Sequence, residues 1–393
     1  MEELFHTASY AGYVYPNETV IPWTVLIVAY PYMTGLVAGA FTVSSMYHVF
    51  GIEKYKPVAR FALLTALCFM IFVPAPLLLH LGHPERAFNA MITPHLTSAF
   101  AMFGFFAAFY VVLVALESFF AFREDNVARA QSSKGLKRQF YRAVTLWSDD
   151  VSEKARAFDH KWLYVLAVVG IPGAHGLHGY VGFVFGSLKA RDWWGSDLMP
   201  VIFLFSAVIS GVALLIVLYV FVSKVRRVPI DLECLKGLTQ TLWGFLMFGV
   251  LLEVVELANL FYKNEEGIEI IRDFIEGPLF FSYFGLQFGI GAALPILILT
   301  VMVFRGTSGT PFVVGSFVSA MLALLSVFMM RWNVVIGGQE ISKTMKGLLS
   351  YHLPIGGPEG LLAAIAVLLA PLVLLWVMVR LFPPWDLTKQ PAA

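Results

Sequence analysis

The sequence predicts an all-α integral membrane protein of about nine transmembrane helices, and three observations predict it. Hydrophobic residues make up 59% of the chain and charged residues only 13%, against roughly 25% charge in an average soluble domain. Apolar runs longer than the roughly 20 residues needed to cross the hydrocarbon layer recur from end to end. None alternates as a barrel strand does, and lipid offers no partner to a bare backbone, so each run must close its hydrogen bonds as a helix.

In order, the spans fall at about 20–50, 58–82, 95–122, 162–186, 198–223, 235–262, 278–304, 311–335 and 357–382. Gly35 and Gly39 in the first, four residues apart, admit a close neighbouring backbone. Pro31, Pro74, Pro76 and Pro172 predict kinks. Trp23, Trp162, Trp193, Trp194 and Trp385 fall near span ends, where aromatic belts form. Most of the 27 lysines and arginines lie in the loops after spans one, three, five and seven or beside them, so the positive-inside rule makes that side cytoplasmic and puts Met1 outside. The largest loop, 123–161, reads as a solvated cytoplasmic segment with an amphipathic helix. The expected protein is thus multi-pass in a bacterial or archaeal cytoplasmic membrane. Its parts are an outer segment 1–19, a first transmembrane unit 20–187, a second 188–382 and a cytoplasmic tail 383–393. No basic n-region precedes a short apolar stretch, so no cleavable signal peptide is indicated.

A net charge of +1 with no basic face argues against nucleic acid as a partner. Two cysteines, Cys68 in an apolar run and Cys234 in a polar loop, supply neither a disulfide framework nor the four thiolates of an iron–sulfur cluster. Electrons handled by this chain must therefore leave through a partner.

Polar residues gather in two settings. The junction of spans two and three, on the expected outer face, carries His80, His83, Glu85, Arg86 and His95 around Pro84 and Pro94. Inside the hydrocarbon, where ionisable groups are costly and mark function, His175 and His178 share one face of span four, and Glu253 and Glu256 share one face of span six. Gln287 and Arg331 join them in the outer half, and Tyr30 lies at the depth of His175. Histidine, tyrosine and carboxylates in a membrane pocket suit quinol oxidation. A quinone headgroup needs a hydrogen-bond partner at each carbonyl, and bases must take two protons as two electrons leave. Tyr30, His80, His83, Arg86, His175 and His178 are the candidate headgroup pocket. Glu253, Glu256, Gln287 and Arg331 are a candidate proton path with Glu117 and His48 at its inner mouth, and no metal site is expected. Plainer readings stand beside these. The histidines can bond backbone carbonyls at the Pro172 kink, Arg331 can form a structural ion pair with Glu253 or Glu256, and Glu117 and His48 can snorkel to the interface. The rival functions are a haem-binding cytochrome b-type anchor and an antiporter-like ion-translocating subunit without quinone.

Leu81-Gly82-His83-Pro84-Glu85-Arg86-Ala87, followed by Pro94 and Thr97-Ser98-Ala99-Phe100, resembles the signature of the NrfD/PsrC family, membrane subunits of polysulfide reductase-like complexes. Pro22-Trp23, Tyr30, Gly35 and Ala38-Gly39-Ala40 are similar to that family's opening helix. Pro172 to His175, Glu256, Pro295, Arg331 and Glu359 resemble its longer HybB-like branch, and Arg331 to Gln339 resembles DsrP of the DsrMKJOP complex. The resemblance implies two four-helix bundles plus a further helix, with a menaquinone or ubiquinone site at the outer face of the first bundle. It implies no haem or iron–sulfur cluster in this chain, which would act only within a complex. The implied partners are a ferredoxin-like iron–sulfur subunit docked outside and other subunits such as cytochrome b and multihaem cytochrome c. His80 and Tyr30 stand where family members often have Asp.

Overall fold

A computed structural model of the chain describes residues 10–188, 190–263 and 267–385. It is almost entirely helical. In order come β1 (Tyr10–Tyr13), α1 (Val25–His48), α2 (Lys56–Phe72), α3 (Ala75–His80), α4 (Ala99–Ser132), α5 (Gly135–Val144), α6 (Glu153–Gly186), α7 (Met199–Val225), α8 (Leu232–Lys263), α9 (Ile268–Glu276), α10 (Phe281–Phe304), α11 (Gly309–Val335), β2 (Lys346–Leu349) and α12 (Leu361–Leu381). Among the described residues eight helical segments, α2 and α3 counted as one, are long and apolar enough to cross a membrane. The ninth expected span is α6, as long as any of them, whose histidines and glycines dilute its hydropathy. The protein is a multi-pass integral membrane protein. The expected ends, 1–19 and 383–393, lie partly outside the described residues.

Helices α1 and α7 form the centre, because they are apolar all round and so can be enclosed. In their most apolar stretches 89% and 72% of the residues are buried, against 22% for α4 and α12 on the periphery. Gly39 and Gly211 make the crossing possible. A Cβ on Gly39 would run into the Ala207 carbonyl and the Gly211 backbone, and one on Gly211 into the Gly39 backbone. Around this pair, α1 packs on α2, α6 and α11, and α7 on α6, α8 and α11, while α12 lies against α2. The α2–α3 break falls at Val73–Pro74, where the proline removes a backbone donor. Residues 281–293 of α10 are wound as a π-helix, a widened turn often found at functional sites, and it carries Gln287.

Two faces bound the bundle: the corner face, which holds 81–98, and the basic face, which holds 133–152. The expected loop 123–161 is mostly not a loop. Helix α4 runs on to Ser132 and α6 begins at Glu153, and the extensions are zipped by a buried Arg123–Asp159 pair at 2.7 Å and an Arg156–Glu124 pair at 2.8 Å. The charges there read as solvent-facing, whereas the inner ones cross-link two helices. Amphipathic α5 lies between them, tied by Tyr141 donating to the Leu381 carbonyl. Cys234, expected in a loop, is buried on α8.

A small cap covers the corner face beside α11. Strands β1 and β2 pair antiparallel, Tyr10 opposite Leu349 and Tyr13 opposite Lys346. Glu18 is 4% exposed, accepts from the Lys343 N–H at 3.0 Å and pairs with Arg191 at 3.2 Å. Burial pulls the Arg191 guanidinium below its usual pKa while Glu18 opposes the shift. Arg191 also donates to the Ile341 carbonyl at 2.6 Å. Removing one partner of such a buried pair strands the other at a cost of about 3–5 kcal/mol. Glu18→Ala is therefore expected to speed amide exchange across 341–349 by a hundredfold or more, about 3 kcal/mol by that estimate. Unchanged exchange would mean that the pair contributes nothing to the cap.

Candidate functional site

The six residues proposed for a headgroup pocket do not share one setting. His83 and Arg86 are exposed at the corner, where His83 Nδ1 donates to Glu85 at 3.0 Å and Arg86 Nε lies 3.9 Å from the same carboxylate. His80, at the end of α3, donates to Glu359 at 3.0 Å across the approach to α12, and both side chains are partly open, 20% and 29% exposed. Tyr30 is buried in α1 with its ring edge-on to Phe103 at 5.3 Å. His175 Nδ1 donates to the Ile171 carbonyl of its own helix at 2.8 Å, so the plainer expectation for this histidine holds.

His178 sits differently. It is wholly buried, stacked on Phe203 at 5.7 Å, with both ring nitrogens engaged. Its Nε2 faces an Nη2 donor of Arg331 at 2.9 Å and its Nδ1 faces Thr34 Oγ1 at 3.2 Å. A guanidinium only donates, so Nε2 must accept and the proton belongs on Nδ1. Gly35 makes room for the ring, since a Cβ there would meet His178 Cε1 at 3.3 Å. No nitrogen is left over for an axial iron bond.

Arg331 corrects an expectation. It does not pair with Glu253 or Glu256; among the described residues no carboxylate comes within 4.0 Å of it. The guanidinium instead lies 3.7 Å over the Phe203 ring, bonds Ser206 and His178 through Nη2 and Met330 Sδ through Nη1 at 3.1 Å, and leaves Nε unpartnered. Residues assigned from sequence to separate units, His178 and Arg331, therefore meet at one contact.

Glu253 accepts a short bond from Gln287 Nε2, and Gln287 Oε1 accepts from Asn333 Nδ2 at 2.7 Å. The Gln287 carbonyl, on the π-helical stretch, also accepts from Ser326 Oγ at 3.0 Å. Glu253, Gln287 and Asn333, with Glu256, Tyr283 and Asp192, wall a cavity of about 90 Å³ at the corner face. Its roof is formed from Asp192, Trp193 and Gly195, a stretch in which the Trp193 indole donates to the Asn333 carbonyl at 3.0 Å and Trp194 to that of Val334. These two tryptophans, expected in an interfacial belt, fasten the roof instead. The cavity has room for several waters but falls well short of the roughly 300 Å³ of a small-molecule pocket. A smaller void of about 10 Å³, room for about one water, touches Glu253, Gln287, Ser206 and Met330. A polar line thus runs from the corner face through Glu253, Ser206 and Arg331 to His178 and Thr34.

Glu117 corrects a second expectation. It does not snorkel: it is fully buried on α4 with both carboxylate oxygens unpartnered, and the buried Tyr110 hydroxyl, two turns away on the same face, is unpartnered too. His48 is bonded to Ser44 at 3.0 Å near the basic face. Sequence reading missed Thr34, Ser206, Tyr283, Tyr110 and Asn333. A lone hydroxyl in an apolar run carries no signal, whereas Asn333, two residues from Arg331 in an apolar helix, could have been found.

A family model described as "Polysulphide reductase, NrfD" matches residues 15–342. The chain is 33% identical over 320 residues, 80% of its own length and 73% of the relative's, to a selenate reductase subunit of Mesobacillus selenatarsenatis. It is 26% identical to a putative dimethyl sulfoxide reductase membrane subunit of Halobacterium salinarum, over 72% of this chain and 62% of that one. It is 25% identical to the Hdr-like menaquinol oxidoreductase integral membrane subunit of Archaeoglobus fulgidus, over 71% and 62%.

Proposed function

The chain belongs to the NrfD polysulphide reductase family, and from that premise we propose that it is a quinone-interacting membrane subunit of a respiratory redox complex. A relative whose name includes menaquinol oxidoreductase supports the quinone. The observation that carries the reading is the His80–Glu359 pair. An imidazole backed by a carboxylate, half-open at the membrane end of α3, is a ready acceptor for a quinol hydroxyl proton. Tyr30 on α1, which packs against α3, and Phe103 on α4 offer ring and wall. The cavity at Glu253 and Glu256 is too small for the ring and serves protons. Electrons pass to an iron–sulfur subunit docked on the corner, where His83, Glu85 and Arg86 stand exposed beside Phe88, Ile92 and Leu96. Menaquinone or ubiquinone fits this chemistry equally well.

His80→Ala is expected to lower quinol-linked electron transfer by about 10²-fold or more, the usual share of a positioned base, with the complex still assembled. His175→Ala, whose imidazole is satisfied by its own helix, is expected to slow transfer less. Wild-type turnover in His80→Ala would remove the pair from the mechanism. Proton movement across the bilayer would need Glu117 and His48 on the far side; a proton-to-electron ratio unchanged in Glu117→Gln would count against it.

A further inference from the structure

On the side of α8 away from that cavity, a groove of about 530 Å³ opens between the α1–α2 connection, α7 and α8. Its two ends differ. Toward the basic face it is lined by Lys54, Tyr55, Gln240 and Thr241; deeper, by Phe205, Phe245 and Phe248, whose rings stand 4.9 and 5.5 Å apart around Phe205. From Gln240 to Phe248 the groove climbs α8 by about 12 Å at 1.5 Å per residue, most of the roughly 15 Å half-thickness of a hydrocarbon core.

We propose that this groove binds an anionic phospholipid, with its phosphate at Lys54 and an acyl chain along Gly244 over the three phenylalanines. Lys54 is built for the role. Its stem lies against α8 where Gly237 has no side chain; a Cβ there would meet Lys54 Cδ and Cε at 3.1 Å. The ammonium stands 5.1 Å over the Tyr55 ring, and among the described residues no carboxylate comes within 4.0 Å of it. A half-buried cation with no carboxylate in direct contact among the described residues, at interface depth, calls for an anion. The Tyr55 hydroxyl is already committed to the Gly237 carbonyl and to Thr241 at 2.9 Å, so the polar end lacks the proton-accepting pair a quinol would need. Gly244 floors the trough, since a Cβ there meets nothing within 4 Å.

The test uses the intact complex, stripped of lipid in detergent, supplied with phosphatidylglycerol or phosphatidylcholine and weighed by native mass spectrometry. Wild type is expected to retain phosphatidylglycerol in preference to phosphatidylcholine. Lys54→Gln is expected to lower that retention about fivefold, the share of one interfacial basic residue, and Lys54→Arg to restore it. Gly244→Leu fills the trough and is expected to abolish retention of either lipid. Quinol-linked turnover is expected to stay at wild-type level in all three, which also reports that each folds. Equal retention in wild type, Lys54→Gln and Gly244→Leu would overturn the proposal. So would a groove that holds quinone in place of phospholipid, seen as quinone lost only in Gly244→Leu.

Discussion

Arg331→Met is expected to leave the complex assembled and at least as stable as wild type while quinol-linked turnover falls by about 10²-fold or more. The two halves of that result have different causes. A fully buried guanidinium with no carboxylate within 4.0 Å among the described residues and an unpartnered Nε is a costly group, and exchanging a buried charge for a well-packed apolar side chain is often neutral or stabilising by roughly 1–4 kcal/mol. Methionine fits the Met330 and Phe203 surroundings. What the exchange removes is the donor shared by His178 and Ser206, the one place where the polar line crosses from α11 to α6. Arg331→Lys keeps the charge and an ammonium that can donate, but loses the planar guanidinium lying over Phe203, so it should fall between. A double variant with His178→Phe should be no worse than either single change, because both break the same contact. Turnover near wild type in Arg331→Met would make the contact structural only, and the line would then carry no protons between its two ends.

The largest effect on stability is expected at the α1–α7 crossing. Gly39→Leu must seat a side chain where Ala207 and Gly211 already touch, with backbone on both sides and nothing flexible to give way. Overpacking of this kind costs typically 1–3 kcal/mol and occasionally more, and with backbone blocking both sides we expect about 3 kcal/mol or more, enough to lose most folded protein in detergent. Gly176→Leu, where a Cβ meets nothing, is the control. Thermal unfolding of the two variants side by side decides it; equal midpoints would mean that the α1–α7 crossing accommodates the added side chain.

The membrane helices were legible in the sequence because lipid forces each apolar run to solve its hydrogen bonding alone, and their observed ends fall within about five residues of the expected ones except where α4 runs on to Ser132 and α6 begins at Glu153. Gly39 was legible for a similar reason: the small-residue spacing is local. What failed was pairing across the chain. His178 and Arg331 lie 153 residues apart, and no local pattern tells a guanidinium to choose an imidazole over the carboxylates of α8. Arg123 and Asp159 looked like solvated loop charges because composition cannot show that two helices continue past the interface together. Glu117 was misjudged by its nearness to a span end, when α4 in fact runs well beyond it.

The cap also has a history in time. Tyr13 finds its partners in Thr344 and the strand that follows, 331 residues later. At the usual pace of about 5–20 residues per second, the ribosome needs roughly 15 to 65 s to make the second half of that seam. The bundle beneath can insert and pack during that interval, but the Glu18–Arg191 pair must wait for the backbone of 341–343, so a nascent chain stalled before residue 341 would leave that pair without the carbonyl and N–H that it binds in the finished protein.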